Sequence, residues 1–292
     1  MDTTAQEPDP VVCLPANGRL DPQWCLAILA AHAIPGIDEQ VGGEHRRPVA
    51  IGDRVVPLAL QFDETAVRAR SLGDPLYAAE AATLEAIIRR WLGLDDDLTP
   101  VNAHLSRDPL LAPLVTRRPA LRRIGYPDPF EAAATTVLGQ QVSVAAMRTF
   151  AGRLVTGYGG TPVAGMKLFP AADVVARIPA AELQAAIGLT HARTRTLLAV
   201  ADAFSHAGAQ PAGAFPLTRD ELLALPGIGP WSADYLDVRA RLDPDAFTPG
   251  DLVLRRALGR ISARESADRA EAWRPYRAHA LFHLWSQEAY DR

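Results

Sequence analysis

The stretch Leu222–Asp251 decides the fold, and it reads LLALPGIGPWSADYLDVRARLDPDAFTPGD. A short helical pattern leads into Pro226-Gly227-Ile228-Gly229, and a second helix is predicted to begin at Pro230. Two glycines around one apolar residue allow a tight turn, and proline suits the first helical position. The stretch therefore predicts a helix-hairpin-helix whose second helix presents unpaired backbone N–H groups, a site for phosphate. A plain helical hairpin with a glycine turn is the alternative.

Three side chains in this stretch are candidates for a site. Trp231 and Tyr235 are four residues apart, so they share one face of the second helix, either as a binding surface or as a core pair. Asp251 follows Thr-Pro-Gly at the predicted N-cap of the next helix, where a carboxylate accepts backbone N–H bonds and benefits from the helix dipole. Structural capping is the alternative to a chemical role for this aspartate.

Composition sets limits on the function. The 292 residues are about two domains long, with 48% hydrophobic and 22% charged residues, as in ordinary globular proteins. The net charge of -4 excludes a binder of nucleic acid that is cationic over its whole surface, but it permits a basic face. Because Lys167 is the only lysine, arginine or backbone amides would make any phosphate contacts.

Two cysteines, Cys13 and Cys25, are too few for a disulfide framework, a zinc ribbon or a cysteine-ligated iron–sulfur cluster. The first ten residues, MDTTAQEPDP, lack the basic and apolar segments of a signal peptide. No apolar stretch reaches the ~18 residues of a membrane span. We therefore expect a cytoplasmic, soluble protein that acts as a monomer without a membrane partner.

The patterns along the chain predict an α+β fold. Residues 1–10 are expected to be a flexible tail and 11–97 a small N-terminal domain with an antiparallel sheet and helices. Its strand-like runs are VVCLP, RRPVAIG and DRVVPLALQ, and its helical patterns are Pro22–Ala33 and Pro75–Leu92. Residues 98–292 are predicted to form an all-helical core. Its helical segments are Pro127–Gly157, Asp173–Ile187, Ala192–Ala207, Arg219–Leu225, Pro230–Leu242, Asp251–Leu258 and Arg274–Tyr290.

Three co-linear segments resemble a known family. Leu225–Asp251 resembles the helix-hairpin-helix plus Gly/Pro…Asp signature of the DNA glycosylase superfamily, most closely the bacterial alkylpurine DNA glycosylases of the 3-methyladenine DNA glycosylase II type. Asp128–Leu154, DPFEAAATTVLGQQVSVAAMRTFAGRL, is similar to the family's first helical motif. Trp273–Gln287, WRPYRAHALFHLWSQ, is similar to its C-terminal helix. The resemblance covers about residues 11–290.

The resemblance implies a function and a site. Members of the superfamily flip a damaged nucleotide out of double-stranded DNA and cut its N-glycosidic bond. By position, Asp251 matches the catalytic aspartate, which stabilises the sugar cation or activates water. The residues Trp231, Tyr235 and Trp285 match the aromatic pocket, which suits cationic bases such as 3-methyladenine. The implied protein is a monofunctional glycosylase, because Trp231 stands where glycosylase–lyases have a Schiff-base lysine.

The resemblance also implies which residues contact DNA. Its hairpin would grip the backbone through Pro226, Gly227, Ile228 and Gly229. The loop at Gln140 and Gln141 would fill the gap left by the flipped nucleotide, although the family's type member has an apolar residue at the position of Gln141. A polar interhelical turn is the structural alternative for this loop. No cofactor is expected, apart from a possible monovalent cation at the hairpin backbone.

Two other functions stay open at this point. One is a non-catalytic helix-hairpin-helix protein that binds distorted duplexes, and the other is a glycosylase for deaminated or oxidised bases. Among other side chains, we expect Asp234 and Asp237 to form ion pairs. For Arg255 and Arg256 two alternatives stay open: a contact with phosphate, or pairing with Asp243 and Asp245. His279 and His283 have a spacing compatible with a metal, but packing is the favoured interpretation because no third ligand is evident.

Overall fold

The computed structural model describes residues 11–208 and 211–290. Its N-terminal part contains one antiparallel sheet in the order β1-β5-β4-β3-β2. The strands are β1 (Val11–Pro15), β2 (Glu39–Val41), β3 (Glu44–Ile51), β4 (Arg54–Phe62) and β5 (Ala66–Ser71). This sheet, followed by a helical core, confirms the predicted α+β class. The tail predicted at residues 1–10 lies outside the described residues.

Fourteen α-helices are found among the described residues. They are α1 (Pro22–His32), α2 (Ala78–Trp91), α3 (Leu98–Leu105), α4 (Ala112–Arg117), α5 (Pro129–Gly139), α6 (Val144–Tyr158), α7 (Ala172–Ala176), α8 (Ala180–Ile187), α9 (His191–His206), α10 (Arg219–Ala224), α11 (Pro230–Arg239), α12 (Leu252–Ala257), α13 (Ala263–Ala270) and α14 (Arg277–Trp285). A 3₁₀ turn at Glu271–Trp273 precedes α14, and a π-helical turn at Ser286–Tyr290 follows it.

Several short elements were not predicted from the sequence. Strand β5 reads AVRARS and carries two arginines, yet it lies inside the sheet between β1 and β4. Its buried face is supplied by Val67 and Ala69, while Arg70 on the opposite face binds the carboxylate of Glu44 on β3 at 3.0 Å. Strand β2 and helices α3, α4 and α13 are only three to eight residues long, so their periodicity is too brief to read.

Two hydrophobic cores organise the chain. The first joins the inner face of the sheet and helices α1 and α2 with α3, α4 and the C-terminal helices α12 to α14. The second joins α5 to α9 with the hairpin helices α10 and α11. Since the C-terminal helices share the core of the N-terminal sheet, both cores draw on residues beyond position 97.

A buried polar cluster ties the N-terminal part to α14. Arg123 binds Asp96 at 2.9 Å and also donates to Nε2 of His279 at 3.2 Å. One turn further along α14, His283 is only 1% exposed. Burial lowers the pKa of His279 and lowers that of His283 to about 3. These histidines therefore pack as neutral side chains, as predicted, and no group of His, Cys, Asp or Glu within the described ranges could hold a metal ion.

None of the helices described here is long and apolar enough to cross a membrane.

The buried histidines predict sensitivity to acid. In the unfolded chain His283 binds a proton below about pH 6.5, whereas the folded protein resists protonation until about pH 3. Unfolding therefore takes up a proton in this window, and the free energy of unfolding falls as the pH falls, by up to about 1.4 kcal/mol per pH unit for one such group. His283→Leu should reduce this slope by about one proton between pH 6 and 4.

Urea unfolding at a series of pH values measures the slope. His206→Gln is the matched control, because His206 is an exposed histidine at the end of α9. An unchanged slope in His283→Leu would show that this histidine is protonated equally in both states.

Candidate active site and DNA interface

The three predicted pocket aromatics come together in the structure. Trp231 and Tyr235 stack along one face of α11, with ring centroids 5.4 Å apart and planes inclined by 24°. Trp285, from the end of α14, lies 5.9 Å from Tyr235. Trp231 and Tyr235 are partly exposed, while Trp285 is buried at 5% exposure. Trp285, which follows Tyr235 by 50 positions in the chain, thus joins Trp231 and Tyr235 in one aromatic wall that is partly exposed to solvent.

The carboxylate of Asp251 lies directly against this wall. It is the N-cap of α12, and its Oδ1 accepts a hydrogen bond from the backbone N–H of Leu254 at 2.8 Å. The same oxygen accepts a second bond from Nε1 of Trp285 at 3.0 Å. Its other oxygen, Oδ2, accepts no hydrogen bond from the described residues. Asp251 is therefore both a helix cap and a side chain with one oriented oxygen left for chemistry.

Three residues behind the wall were missed by sequence reasoning. Arg239 is 2% exposed, and its guanidinium carbon lies 5.8 Å from the ring centroid of Tyr235. It also lies 5.1 Å from the ring of Tyr126 and 5.7 Å from that of Phe282. Arg239 follows Trp231 and Tyr235 at the same four-residue spacing, so the helical period could have pointed to it. The two other rings come from distant segments and carried no such signal.

The hairpin has the close approach that its glycines predicted. Gly227 adopts a left-handed φ of +79°, and a Cβ there would lie 2.0 Å from Oγ1 of Thr196 on α9. Gly229 is the N-cap of α11 and adds no side-chain bond, so the first N–H groups of that helix stay open. Pro226 is exposed beside them, whereas Ile228 is buried in the second core and donates its N–H to the Leu225 carbonyl. Ile228 therefore anchors the hairpin from inside.

The two glutamines between α5 and α6 have different places. Gln140 turns inward, and its Nε2 donates to the carbonyl of Gly227 at 2.9 Å and to Oγ of Ser232 at 3.0 Å. Gln141 is exposed and has a left-handed φ of 56°. The amide of Gln140 is thus engaged within the protein, and Gln141 supplies the outward side chain of the loop.

The expectations for the charged neighbours were met in part. Arg219 binds Asp234 at 2.6 Å and Asp237 at 2.5 Å, which confirms the predicted ion pairs and leaves Asp251 as the carboxylate at the wall. Of the two alternatives for Arg255 and Arg256, the pairing with Asp243 and Asp245 was wrong, and the contact with phosphate stays a prediction. Arg255 donates to the Ile261 carbonyl, Arg256 lies 3.4 Å from Glu288, and Asp245 is held by Arg274 and Arg277.

Two family models match the chain in succession. Residues 11–128 match the AlkA N-terminal domain, and residues 134–275 match the HhH-GPD superfamily base excision DNA repair protein model. Residues 134–275 of the chain therefore form a domain of the HhH-GPD superfamily. The second match contains the hairpin, the first two wall aromatics and Asp251, and the first contains the whole sheet.

Curated relatives are found in three bacteria. The chain is 36% identical over 286 residues to a Mycobacterium tuberculosis protein named a probable bifunctional transcriptional activator/DNA repair enzyme AlkA; the match covers 94% of this chain and 56% of that protein. It is 29% identical to the DNA-3-methyladenine glycosylase 2 of Escherichia coli, with 93% and 95% of the two chains covered. A DNA-3-methyladenine glycosylase of Bacillus subtilis is 28% identical over 68% of this chain and 70% of its own. The chain thus spans about half the length of the mycobacterial relative.

Solved structures share the fold. The 3-methyladenine DNA-glycosylase from Archaeoglobus fulgidus superposes with a TM-score of 0.81 at 19% identity, covering 95% of this chain and 98% of that chain. An 8-oxoguanine glycosylase/lyase from Clostridium acetobutylicum gives a TM-score of 0.71 at 17% identity, covering 95% and 96%. At these identities the likeness establishes the architecture of sheet domain and helical core.

The close packing of the hairpin on α9 predicts that a methyl group added at Gly227 destabilises the protein. Gly227→Ala should lower the free energy of unfolding by about 2–4 kcal/mol, because alanine meets both a left-handed backbone and the side chain of Thr196. Gly229→Ala is the matched control; its Cβ would meet nothing within 4 Å, so the change should cost less than about 1 kcal/mol. Denaturant unfolding compares the two, and equal losses would refute the close contact.

Proposed function

We propose that this protein is a monofunctional DNA glycosylase that extrudes alkylated purines such as 3-methyladenine from double-stranded DNA and hydrolyses their N-glycosidic bond. The observation that carries the proposal is the position of Asp251, with one oxygen fixed by Leu254 and Trp285 and the other directed away from both donors. The family membership and the names of the relatives support the same reaction.

The aromatic wall suits the base that this reaction releases. A purine alkylated at N3 or N7 carries a positive charge, and the electron-rich faces of Trp231 and Tyr235 attract a cation by roughly 0.5–2 kcal/mol. As the bond breaks, positive charge moves from the base to the sugar. A carboxylate beside the wall would stabilise that developing charge or orient a water molecule for attack. A cationic base leaves readily, so little acid catalysis is needed.

The DNA contacts are assigned to the surface formed by the hairpin and the α5–α6 loop. The open N–H groups at the start of α11 and the exposed turn at Pro226 and Gly227 would grip phosphates without lysine. Exposed Gln141 would fill the gap left by the extruded nucleotide and can hydrogen-bond the orphaned base. We also propose that the active form is a monomer.

A monovalent cation at the hairpin backbone is also part of the proposal. The described residues offer no side-chain cluster for a metal, so main-chain oxygens would have to supply the ligands. Helix α10 ends at Ala224 just before the hairpin, and the last carbonyls of a helix lack intrahelical partners. Bound there, a cation would add positive charge beside the phosphate-binding turn.

The proposed reaction predicts the effect of a substitution at Asp251. Asp251→Asn should reduce base release from methylated duplex DNA by at least about 10²–10³-fold, because the charge that stabilises the sugar cation is lost. The amide oxygen can still cap α12 and accept the bond from Trp285, so folding and DNA binding should persist. Release of methylated purines, measured by chromatography, and binding to an abasic-site duplex, measured by anisotropy, test both parts.

Trp285→Phe should reduce base release less than Asp251→Asn does. It keeps an aromatic ring in the wall but removes the Nε1 donor to Asp251, so the release rate should fall about tenfold, the value of one hydrogen bond.

Undiminished release by Asp251→Asn would refute the site. DNA binding without release by the wild type would favour a non-catalytic protein for distorted duplexes. Release of hypoxanthine or oxidised guanine alone, from a panel of single-lesion duplexes, would favour a glycosylase for deaminated or oxidised bases.

The proposed function also predicts that the DNA strand is not cleaved. Trp231 occupies the position of the Schiff-base lysine in the lyases, and the only lysine, Lys167, donates to the Thr156 carbonyl near the end of α6. Excision should leave an intact strand that breaks only after alkali, and borohydride should trap no covalent complex. A trapped complex that disappears in Lys167→Arg would overturn this.

A further inference from the structure

The loop between α5 and α6 has an unusual backbone. It begins with a four-residue turn from Gly139, the last residue of α5, to Val142, whose N–H donates to the Gly139 carbonyl at 3.3 Å. Between them Gln140 has φ -56° and ψ 122°, and Gln141 has φ 56°. These angles define a type II turn, in which the third position favours glycine or asparagine. A glutamine with a β-carbon is strained there.

One side chain from another helix fixes this geometry. Nη2 of Arg193, in the first turn of α9, donates to the carbonyl of Gln140 at 2.6 Å. That carbonyl belongs to the central peptide of the turn, and the orientation of this peptide distinguishes a type II turn from a type I turn. Arg193 is itself held over the ring of Phe150, with its guanidinium carbon 5.9 Å from the centroid.

A second contact fixes the same turn from the hairpin. The amide of Gln140 is bonded to the Gly227 carbonyl and to Ser232, so the residue before Gln141 cannot move away from the hairpin. Without Arg193 the Gln140 side chain could keep these bonds while the central peptide rotates. The turn would then relax to type I, where the third residue has φ near −90°, which is ordinary for glutamine. The side chain of Gln141 would leave its present direction.

We propose that Arg193 is a positioning residue that holds Gln141 in the strained conformation from which it fills the gap in DNA. The proposal rests on the proposed function only for what Gln141 does; the hold on the turn is a property of the protein alone. Arg193 acts through the central peptide, and its guanidinium is committed to a carbonyl rather than to a phosphate.

The hold on the turn is tested by a cycle of stability measurements on the full chain. Gln141→Gly relieves the left-handed strain, so it should raise the melting temperature by about 2–4 °C in the wild-type background. In an Arg193→Met background the turn has already relaxed, so the same change should raise it little. An equal gain in both backgrounds would overturn the proposal, because Arg193 would then have no influence on Gln141.

The positioning of Gln141 is tested with a duplex that carries 2-aminopurine beside an abasic-site analogue. Insertion of Gln141 unstacks the neighbouring base and raises its fluorescence. At saturating protein, Arg193→Met should lower the inserted population about tenfold, the ratio that corresponds to the cost of a left-handed residue. Arg193→Met in a Gln141→Asn background should lose much less, because asparagine tolerates this conformation. Equal losses would indicate general damage to the fold and overturn the proposal.

Two controls separate the alternatives. Arg195→Met removes an exposed arginine from the same turn of α9 and should leave the fluorescence signal unchanged. The salt dependence of binding to undamaged duplex should be unchanged in Arg193→Met; a slope smaller by about 0.9 would show that Arg193 neutralises a phosphate and would overturn the assignment. Neither readout needs base release, so a failure of the proposed function would be recorded separately.

Discussion

The hydrogen bonds to Oδ1 of Asp251 are the constraint on which the site depends. One donor is the backbone of α12, which the aspartate caps, and the other is the indole of Trp285 at the end of α14. Because one oxygen accepts both bonds, the carboxylate plane is fixed relative to the aromatic wall and the second oxygen has a defined direction. A cap that a helix needs for stability has thereby become a positioned charge.

The aromatic wall, like the carboxylate, is positioned by an element that also has a structural role. Helix α11 carries Trp231, Tyr235 and Arg239 at four-residue intervals, so one face presents two stacked rings and a buried guanidinium behind them. The hairpin fixes where this helix begins, since Gly227 lies against Thr196 of α9 and Ile228 anchors the turn in the second core. The start of α11 that suits phosphate and the face that suits a base are therefore parts of one rigid element.

One strained residue, Gln141, lies where the protein would meet DNA. Gln141 occupies a left-handed position that glycine would fill without cost, and an arginine from α9 secures the peptide before it. The amide of Gln140 joins this loop to the hairpin. A glutamine in this conformation lowers the stability of the protein. It is understandable in a loop whose function is to present a long polar side chain. The loop, the hairpin and the first turn of α9 thus form one junction, from which the side chain of Gln141 projects.

The sequence by itself determined the α+β class and the helix-hairpin-helix, and through the family resemblance it predicted a site at Asp251, Trp231, Tyr235 and Trp285. Those features follow from local rules, namely helical spacing, glycine and proline chemistry and capping, and from three motifs in a recognisable order. Tertiary structure decided what those rules do not reach. Strand β5 is stabilised by its neighbours despite its arginines, and the inward turn of Gln140, the burial of Arg239 and the bond from Trp285 to Asp251 join residues distant in sequence. Such contacts depend on how elements pack, and packing is set by the whole chain rather than by any one segment.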